Sequence, residues 1–155
     1  MKITDFLSKD AITLNLQAKT KREAIEELLT LLEKNVKEIK ENKKEVLKSI
    51  MDRERMGSTG IGQHIAIPHA RDKNIKKIVC ALGISKSPQG VDFDSLDGEP
   101  VHIIFLLLVP QNEINLLLRA LSKIARMLRD KFVRQELKEA SSVEEVMSII
   151  SKEDI

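Results

Sequence analysis

The spacing of hydrophobic positions changes along the chain, and each spacing predicts a type of element. Alternating apolar and polar residues over Ala11–Leu16 predict a strand. After Thr20, apolar residues recur at a helical period as far as Ile39, and Asn42 opens a second helical stretch. Because Thr20 and Glu23 have the spacing of a capping box, the first helix is expected to begin there.

Short apolar runs and amphipathic stretches alternate in the rest of the chain. Strands are predicted at His64–Ile67, Lys77–Ile84 and Val101–Val109, the last of which is apolar on both faces. Helices are predicted from Asn112 to about Asp130, over Phe132–Ala140, and after a second capping box at Ser142. The helix after Asn112 is expected to bury seven apolar residues, namely Ile114, Leu117, Leu118, Leu121, Ile124, Ala125 and Leu128. Interleaved strands and helices predict an α/β fold with one mostly buried sheet.

Composition narrows the functional classes. The chain has 155 residues, of which 42% are hydrophobic and 32% charged, enough for a single domain with its own core. Its 26 basic and 24 acidic side chains are spread along the sequence and predict no nucleic-acid surface. No apolar run approaches the roughly 20 residues of a membrane span, and the start does not resemble a secretory signal. A cytoplasmic protein without membrane insertion is therefore expected.

Cysteine and histidine usage gives no support for a metal site. The single Cys80 excludes an internal disulfide and a cysteine-based zinc site, and its apolar surroundings favour a buried, unreactive side chain. His64 and His69 are five residues apart, a spacing that suits neither one helix face nor one strand face. His102 is interpreted as a buried polar residue near the start of its strand.

The most unusual segment runs from Arg53 to His69. Pro68 is expected to end a short strand, so that His69 emerges at the carboxyl end, where open α/β sheets place their ligand sites. A neutral imidazole there can attack a phosphoryl group, and Arg53 can offset charge on the oxygens.

A glycine-rich turn lies inside this segment. Its backbone N–H groups suit an anion nest, and the candidate binding residues are Gly57, Ser58, Thr59, Gly60 and Gly62. The alternative from spacing alone is an ordinary turn followed by a histidine that caps a strand. Since the Gly-Lys-Ser/Thr ending of a P-loop is missing, nucleotide binding is disfavoured.

Several collinear motifs resemble the fructose/mannitol/nitrogen-regulatory (type 2) enzyme IIA domain of the bacterial phosphoenolpyruvate:sugar phosphotransferase system. They are Arg53-Glu54, Gly57–Gly62, Ala66-Ile-Pro-His69, Val91–Val101 and Phe105–Pro110. The resemblance covers nearly all of residues 1–155 and implies one such domain, a mixed β-sheet flanked by helices on both faces. It implies that His69 takes a phosphoryl group from phospho-HPr or a homologous carrier, beside Arg53. Neither a cofactor nor a metal is implied, since the phosphoryl group arrives on a protein.

The chain departs from this pattern in two places. Where the family usually has a second histidine, this chain has Leu117, and Gln63-His64 replaces a common Asn-Gly. His64 is a candidate to replace the missing imidazole, and the alternative is an exposed strand residue.

Two roles for the phosphohistidine are open. The phosphoryl group passes to an enzyme IIB partner, or the phosphorylation state is a regulatory signal that decides which protein is bound. A third possibility is a degenerate homologue that binds partners without efficient phosphotransfer. Four apolar residues near the site are candidates for a docking patch or for the core: Met56, Ile61, Ile65 and Leu117.

Overall fold

Six strands form one mixed sheet, with the most apolar segment of the chain in the middle. The computed structural model describes residues 1–154; Ile155, the last residue of the predicted domain, lies outside the described residues. The strands are β1 (Leu7–Thr13), β2 (Gly60–Gly62), β3 (Ile65–Ala66), β4 (His69–Asp72), β5 (Val79–Ile84) and β6 (Ile103–Pro110). Their order is β1-β5-β6-β3-β2, and β4 also pairs with β6. Since β3 and β4 run parallel to β6 while β5 runs antiparallel, the sheet is mixed, as the resemblance implied.

Helices cover both faces of this sheet. They are α1 (Lys21–Glu33), α2 (Lys37–Glu41), α3 (Lys43–Arg55), α4 (Ile114–Leu128), α5 (Lys131–Glu139) and α6 (Val143–Glu153). Buried apolar residues of α1, α2 and α3 pack in one core cluster, and those of α4, α5 and α6 pack in another. The alternate residues of β6 enter the two clusters in turn, which explains why that strand is apolar on both faces. The predicted α/β fold is confirmed.

Both predicted capping boxes begin helices. The Thr20 hydroxyl accepts a hydrogen bond from the Glu23 N–H, and the Glu23 carboxylate accepts one from the Thr20 N–H. The Ser142 hydroxyl accepts a bond from the Glu145 N–H at 3.1 Å, but the reciprocal half of the box is replaced, because the Glu145 carboxylate accepts from the Ser141 N–H. Local side-chain chemistry therefore sets these two boundaries.

Several element boundaries differ from the predicted ones, β1 for example ending at Thr13 and not at Leu16, and two of the differences have a clear structural reason. β1 begins four residues before Ala11, because an irregular register between Leu7 and Ile12 places exposed polar residues inside the strand and interrupts the alternation. The predicted helix that runs on to Ile39 is two helices, since the backbone at Val36 is extended.

β3 ends at Ala66, before Pro68, so a short strand does end here as predicted, but His69 does not lie beyond the sheet because it begins β4. His69 is the first residue of β4, which pairs with β6 from Leu107 onward. Proline has no N–H to donate, but its carbonyl accepts a bond from the Leu107 N–H at 3.0 Å. The ladder therefore resumes at once, and His69 is held by the sheet.

The inward face of α4 is narrower than the apolar pattern predicts. Leu117, Ala120 and Ile124 are buried at helical spacing, whereas Ile114 and Leu118 are exposed. The prediction that these last two are buried is wrong, because they lie at the edge of the inward stripe. Among the described residues, no helix combines the length and apolar character needed to cross a membrane.

Candidate functional site

His69 is half-buried at the start of β4, with one ring nitrogen fixed by the backbone. Its Nδ1 lies 2.8 Å from the carbonyl oxygen of Ile67. Because a carbonyl only accepts hydrogen bonds, Nδ1 carries the proton, and Nε2 keeps a free lone pair. Burial lowers the pKa of His69, and the hydrogen bond to Ile67 partly opposes this effect; the nearby Arg53 guanidinium lowers the pKa further. The imidazole is therefore a neutral, oriented nucleophile near pH 7.

The ring borders a cavity of about 450 Å³ between α3, β4 and α4. The lining residues are Ser49, Asp52, Arg53, Met56, His69, Ala70, Arg71, Gln111, Ile114, Leu117, Leu118 and Leu121. Three predicted site residues, His69, Arg53 and Leu117, are thus brought together. We call this space the His69 cavity.

Arg53 lies in the last turn of α3 and is oriented by a single backbone contact. Its Nη1 donates to the carbonyl oxygen of Gly57 at 2.9 Å. None of the ion pairs among residues 1–154 includes Arg53, and the neighbouring Asp52 pairs with Lys48 and Arg55 instead. The guanidinium therefore keeps donors for an anion in the cavity.

Arg71 is a second cation of the cavity that the sequence prediction missed. It follows His69 by two residues on β4, and such residues lie on the same face of a strand. Its Nη1 donates to the Gln111 carbonyl at 3.1 Å, and within residues 1–154 it belongs to no ion pair. The two-residue spacing between His69 and Arg71 could have indicated that both side chains lie on one face of a strand. That strand was not predicted, because Pro68 was expected to end the strand before it.

The glycine-rich turn is not part of the cavity lining, and its side chains make contacts within the fold. The Ser58 hydroxyl donates to the Phe93 carbonyl at 2.8 Å, and the Thr59 hydroxyl donates to the buried Glu54 carboxylate. A Cβ at Gly60 would lie 2.5 Å from the Ser95 hydroxyl oxygen, so the backbones approach closely there. Gly62 has a φ of 99°, which explains a glycine in β2. The turn is joined to the cavity lining through Gly57, whose carbonyl accepts a hydrogen bond from Arg53.

His64 lies outside the His69 cavity. Its Nδ1 is 2.8 Å from the Pro100 carbonyl, and its ring is 5.8 Å from that of His102. It is exposed, in a left-handed turn with a φ of 64°, so it does not supply the second imidazole and is not a strand residue. The wall that Leu117 forms beside His69 consequently remains hydrocarbon.

Of the four apolar candidates near the site, Met56 and Ile61 are exposed, whereas Ile65 and Leu117 are buried. Met56 lines the cavity and is 83% exposed, so a partner that covers His69 would contact it.

The remaining polar candidates are structural. His102 is buried, with Nδ1 at 3.1 Å from the Ser85 carbonyl, and burial lowers its pKa. Cys80 is buried too, and burial raises the pKa of its thiol well above the usual range. Within residues 1–154, no three His, Cys, Asp or Glu side chains group as metal ligands do.

Known proteins carry the same domain. A sequence profile described as "Phosphoenolpyruvate-dependent sugar phosphotransferase system, EIIA 2" matches residues 5–153. The chain belongs to this EIIA family. It is thus related to a phosphotransferase component, and the resemblance identified from the motifs around His69 is confirmed.

Individual relatives fall into two groups. The chain is 38% identical over 154 residues to the fructose-specific EIIABC component of Bacillus subtilis (strain 168), covering 99% of this chain and 24% of that protein. It is 32% identical over 151 residues to a nitrogen regulatory protein of Bradyrhizobium diazoefficiens, covering 97% of this chain and 95% of that one. The crystal structure of nitrogen regulatory protein IIA-Ntr from Neisseria meningitidis superposes with a TM-score of 0.85 at 37% identity, covering 96% and 98% of the two chains. The chain is therefore similar both to a protein named as a fructose-specific EIIABC component and to proteins named as nitrogen regulatory proteins.

Proposed function

We propose that this protein is a cytoplasmic phosphocarrier in which His69 accepts a phosphoryl group from an HPr-like carrier. The observation that supports this most strongly is the free Nε2 of His69, on a ring whose Nδ1–H is held by Ile67, beside the guanidinium of Arg53. Residues 1–155 act as one EIIA domain in this proposal, with no cofactor and no metal.

The transfer follows from the tautomer. The lone pair of Nε2 attacks phosphorus, a new N–P bond forms, and the bond from phosphorus to the donor atom breaks with its electron pair staying on the donor. The Nδ1–H remains on His69 and donates to Ile67, so the positive charge that spreads over the ring faces a carbonyl oxygen. Arg53 and Arg71 are the cations lining the cavity, and they would offset the charge on the phosphoryl oxygens.

The phosphoryl group then has two possible uses. Transfer to an enzyme IIB partner would serve sugar uptake, as the name of the B. subtilis relative suggests for that protein. Regulation by phosphorylation state is favoured by the B. diazoefficiens relative, which has almost the length of this chain. Both uses require His69 to be phosphorylated, so a single assay tests their common basis.

That assay incubates the protein with labelled phosphoenolpyruvate, enzyme I and HPr from the same source. Wild type should gain an acid-labile, base-stable label, and His69→Ala should gain none. His64→Ala is the matched control, because this histidine lies outside the cavity. No label on wild type, or equal labelling of His69→Ala, would contradict the proposal.

The two uses can be separated afterwards. Neighbouring genes for a sugar IIB or IIC component favour uptake, and a neighbouring alternative sigma factor or kinase favours regulation. Transfer of the label from His69 to the IIB protein of the same source would establish the first use directly.

A further inference from the structure

Asp72, the last residue of β4, is a buried carboxylate held by two neutral donors. It is 5% exposed, and none of the ion pairs within residues 1–154 includes it. The Ser49 hydroxyl donates to its Oδ2 at 2.6 Å, and the Asn74 N–H donates to its Oδ1 at 2.8 Å. Burial of a carboxylate is costly, and an apolar residue would fill the position without that cost. The reason for the carboxylate therefore lies in the groups that it binds.

The hydrogen bond between Ser49 and Asp72 joins the two elements that carry the reacting groups. Ser49 lies on α3 one turn before Arg53, and Asp72 lies on β4 three residues after His69. Because side chains alternate along a strand, Asp72 is on the face opposite His69. Ala70, on the same face as Asp72, packs in the core cluster that contains the buried apolar residues of α3. The bond therefore links α3 to β4 beside the His69 cavity.

A second bond places the helix along the same segment. The Asn74 side-chain amide, in the turn after β4, donates to the Glu45 carboxylate at 2.9 Å. Three residues of α3 at intervals of four thus match three positions of β4 and its turn in reverse order: Glu45 with Asn74, Ser49 with Asp72, and Arg53 with His69. The first two pairs are hydrogen-bonded, and the third borders the cavity in which a phosphoryl group would lie.

The backbone contact of Arg53 does not fix it against β4. Its Nη1 donates to the Gly57 carbonyl, and the Gly57 N–H donates in turn to the Glu54 carbonyl at the end of α3. This contact therefore moves with the helix. The distance from the guanidinium to His69 consequently depends on how α3 is held against β4.

The Ser49 hydroxyl does not donate to an anion in the cavity. Ser49 lines the His69 cavity, but its one hydroxyl proton is donated to Asp72. Only lone pairs of this oxygen remain, and these do not suit the oxygens of a phosphoryl group. Asp72 itself is not part of the lining. The contribution of the bond is therefore the placement of α3.

We infer that Asp72 is a positioning residue for phosphoryl transfer, which acts through Ser49 to hold Arg53 beside His69. This inference rests on the proposed function and adds to it a residue outside the cavity. Transfer requires the guanidinium at the phosphoryl oxygens, so a shift of α3 by about 1 Å is enough to slow it.

The experiment measures the rate of phosphoryl transfer to His69 at rising concentrations of the phosphorylated HPr-like carrier of the same source. Ser49→Ala and Asp72→Ala should each lower the maximal rate about tenfold, with the half-saturating carrier concentration within about twofold of wild type. The double variant should also lose about tenfold, because the same bond is removed twice. Asp72→Asn keeps an oxygen that can accept from Ser49, so its maximal rate should stay within about threefold of wild type.

The matched control is Asp154→Ala, because loss of a buried carboxylate also costs stability. Asp154 is buried, accepts bonds from two backbone N–H groups and does not line the His69 cavity. At a temperature at which every variant is folded, this control should leave the maximal rate within about twofold of wild type.

An NMR titration of the His69 ring provides a readout that does not depend on the carrier. Arg53 contributes to the lowered pKa of His69, so a displaced guanidinium in Ser49→Ala should raise that pKa toward its ordinary value. Ser49→Ala changes no charge, and a shift would therefore report the position of Arg53. Asp154→Ala should leave the pKa of His69 unchanged.

Several results would overturn the inference. Maximal rates within twofold of wild type in both single variants would do so, as would an equal loss in Asp154→Ala. Losses that multiply to about 100-fold in the double variant would show that Ser49 and Asp72 act separately. A higher half-saturating concentration at an unchanged maximal rate would assign the bond to carrier binding. Should Asp72→Ala not fold, Ser49→Ala decides by rate and by the pKa of His69. Wild type that takes no label would overturn the proposed function, whereas labelled wild type with unaffected variants overturns only this inference.

Discussion

At the level of single residues, one backbone carbonyl determines which nitrogen of His69 carries the proton. Because Ile67 accepts the hydrogen bond from Nδ1–H, Nε2 has a free lone pair and no proton of its own. The lowered pKa of His69 also has a consequence for stability, since the unfolded chain takes up this proton at a higher pH than the folded one. Stability is therefore lost as the pH falls below about 6.5, and burial of His102 acts in the same direction.

Replacing Arg53 should change both the titration and the reactivity of His69. Arg53→Gln removes a positive charge that disfavours the imidazolium, so the pKa of His69 should rise toward its ordinary value. The rate of phosphoryl transfer should fall about 100-fold, because a preorganised donor to the phosphoryl oxygens is lost. The pKa is followed by NMR of the ring and the rate by labelling.

Arg129→Gln is the control for this experiment, since the same charge is removed from an exposed residue that does not line the His69 cavity. It should change neither quantity. A pKa that falls in Arg53→Gln, or a rate within twofold of wild type, would contradict the assigned role.

A second residue-scale prediction concerns the hydrocarbon wall that Leu117 forms beside His69. Leu117→His places an imidazole where the cavity now lacks a donor, so hydrolysis of the phosphohistidine should slow severalfold. The half-life of the isolated labelled protein is the measurement. Leu96→His adds the same group at an exposed site outside the cavity and should leave the half-life unchanged. Equal half-lives in all three proteins would show that a second imidazole has no effect here.

Those parts of the site that belong to one continuous sequence motif could be predicted, and those that depend on the folded structure could not. His69 and Arg53 were predicted correctly to lie together, because the resemblance covers the whole motif that joins them. His64 was a candidate for the second imidazole only because it is a histidine. Its backbone lies in a left-handed turn, and its ring is hydrogen-bonded to the Pro100 carbonyl, outside the His69 cavity. The position of Arg71 in the cavity was missed because it depends on a strand that the pattern around Pro68 does not indicate.

At the level of elements, local chemistry predicted helix starts better than strand boundaries. Thr20 and Ser142 cap their helices through residues three positions away, so a short window of sequence contains the whole interaction. β4 exists because β6 supplies hydrogen-bond partners from more than 35 residues away, and no local pattern contains that information. Burial of α4 was overpredicted for the same reason, since only tertiary packing selects which apolar residues face inward.

One buried ion pair links three elements around the site and should be costly to disrupt. Glu54 of α3 pairs with Lys21 of α1 at 3.0 Å and accepts the N–H of Thr59 at 3.1 Å. Glu54→Gln leaves the Lys21 ammonium without its counter-charge, so the free energy of unfolding should fall by about 2 to 3 kcal/mol. Urea denaturation gives this value.

The matched control is Glu26→Gln, which breaks the exposed pair with Arg22 and should cost less than about 1 kcal/mol. A loss at Glu54 no larger than the loss at Glu26 would show that the buried pair does not hold the turn in place.

At the level of the whole molecule, the two ends of the described chain are joined by one carboxylate. The buried Asp154 accepts hydrogen bonds from the N–H groups of Ile3 and Thr4 at 2.7 and 3.0 Å, across 150 residues of sequence. These bonds fix the end of α6 against the segment that leads into β1, an edge strand of the sheet. The contact therefore links the outer helix layer to the sheet independently of the chain between them.

Asp154→Ala should lower the free energy of unfolding by about 2 to 4 kcal/mol, because two charge-assisted hydrogen bonds are lost and two amide groups lose their partner. Glu153→Ala, which removes an exposed carboxylate from the preceding position, should cost less than about 0.5 kcal/mol. Urea denaturation gives both values, and hydrogen exchange at Ile3 should accelerate only in the first variant. His69 should still be labelled in folded Asp154→Ala, since the contact lies outside the His69 cavity. Equal free energies of unfolding for the two variants would show that the hydrogen bonds between the chain ends do not stabilise the fold. The edge of the sheet at β1 would then be held by apolar packing alone.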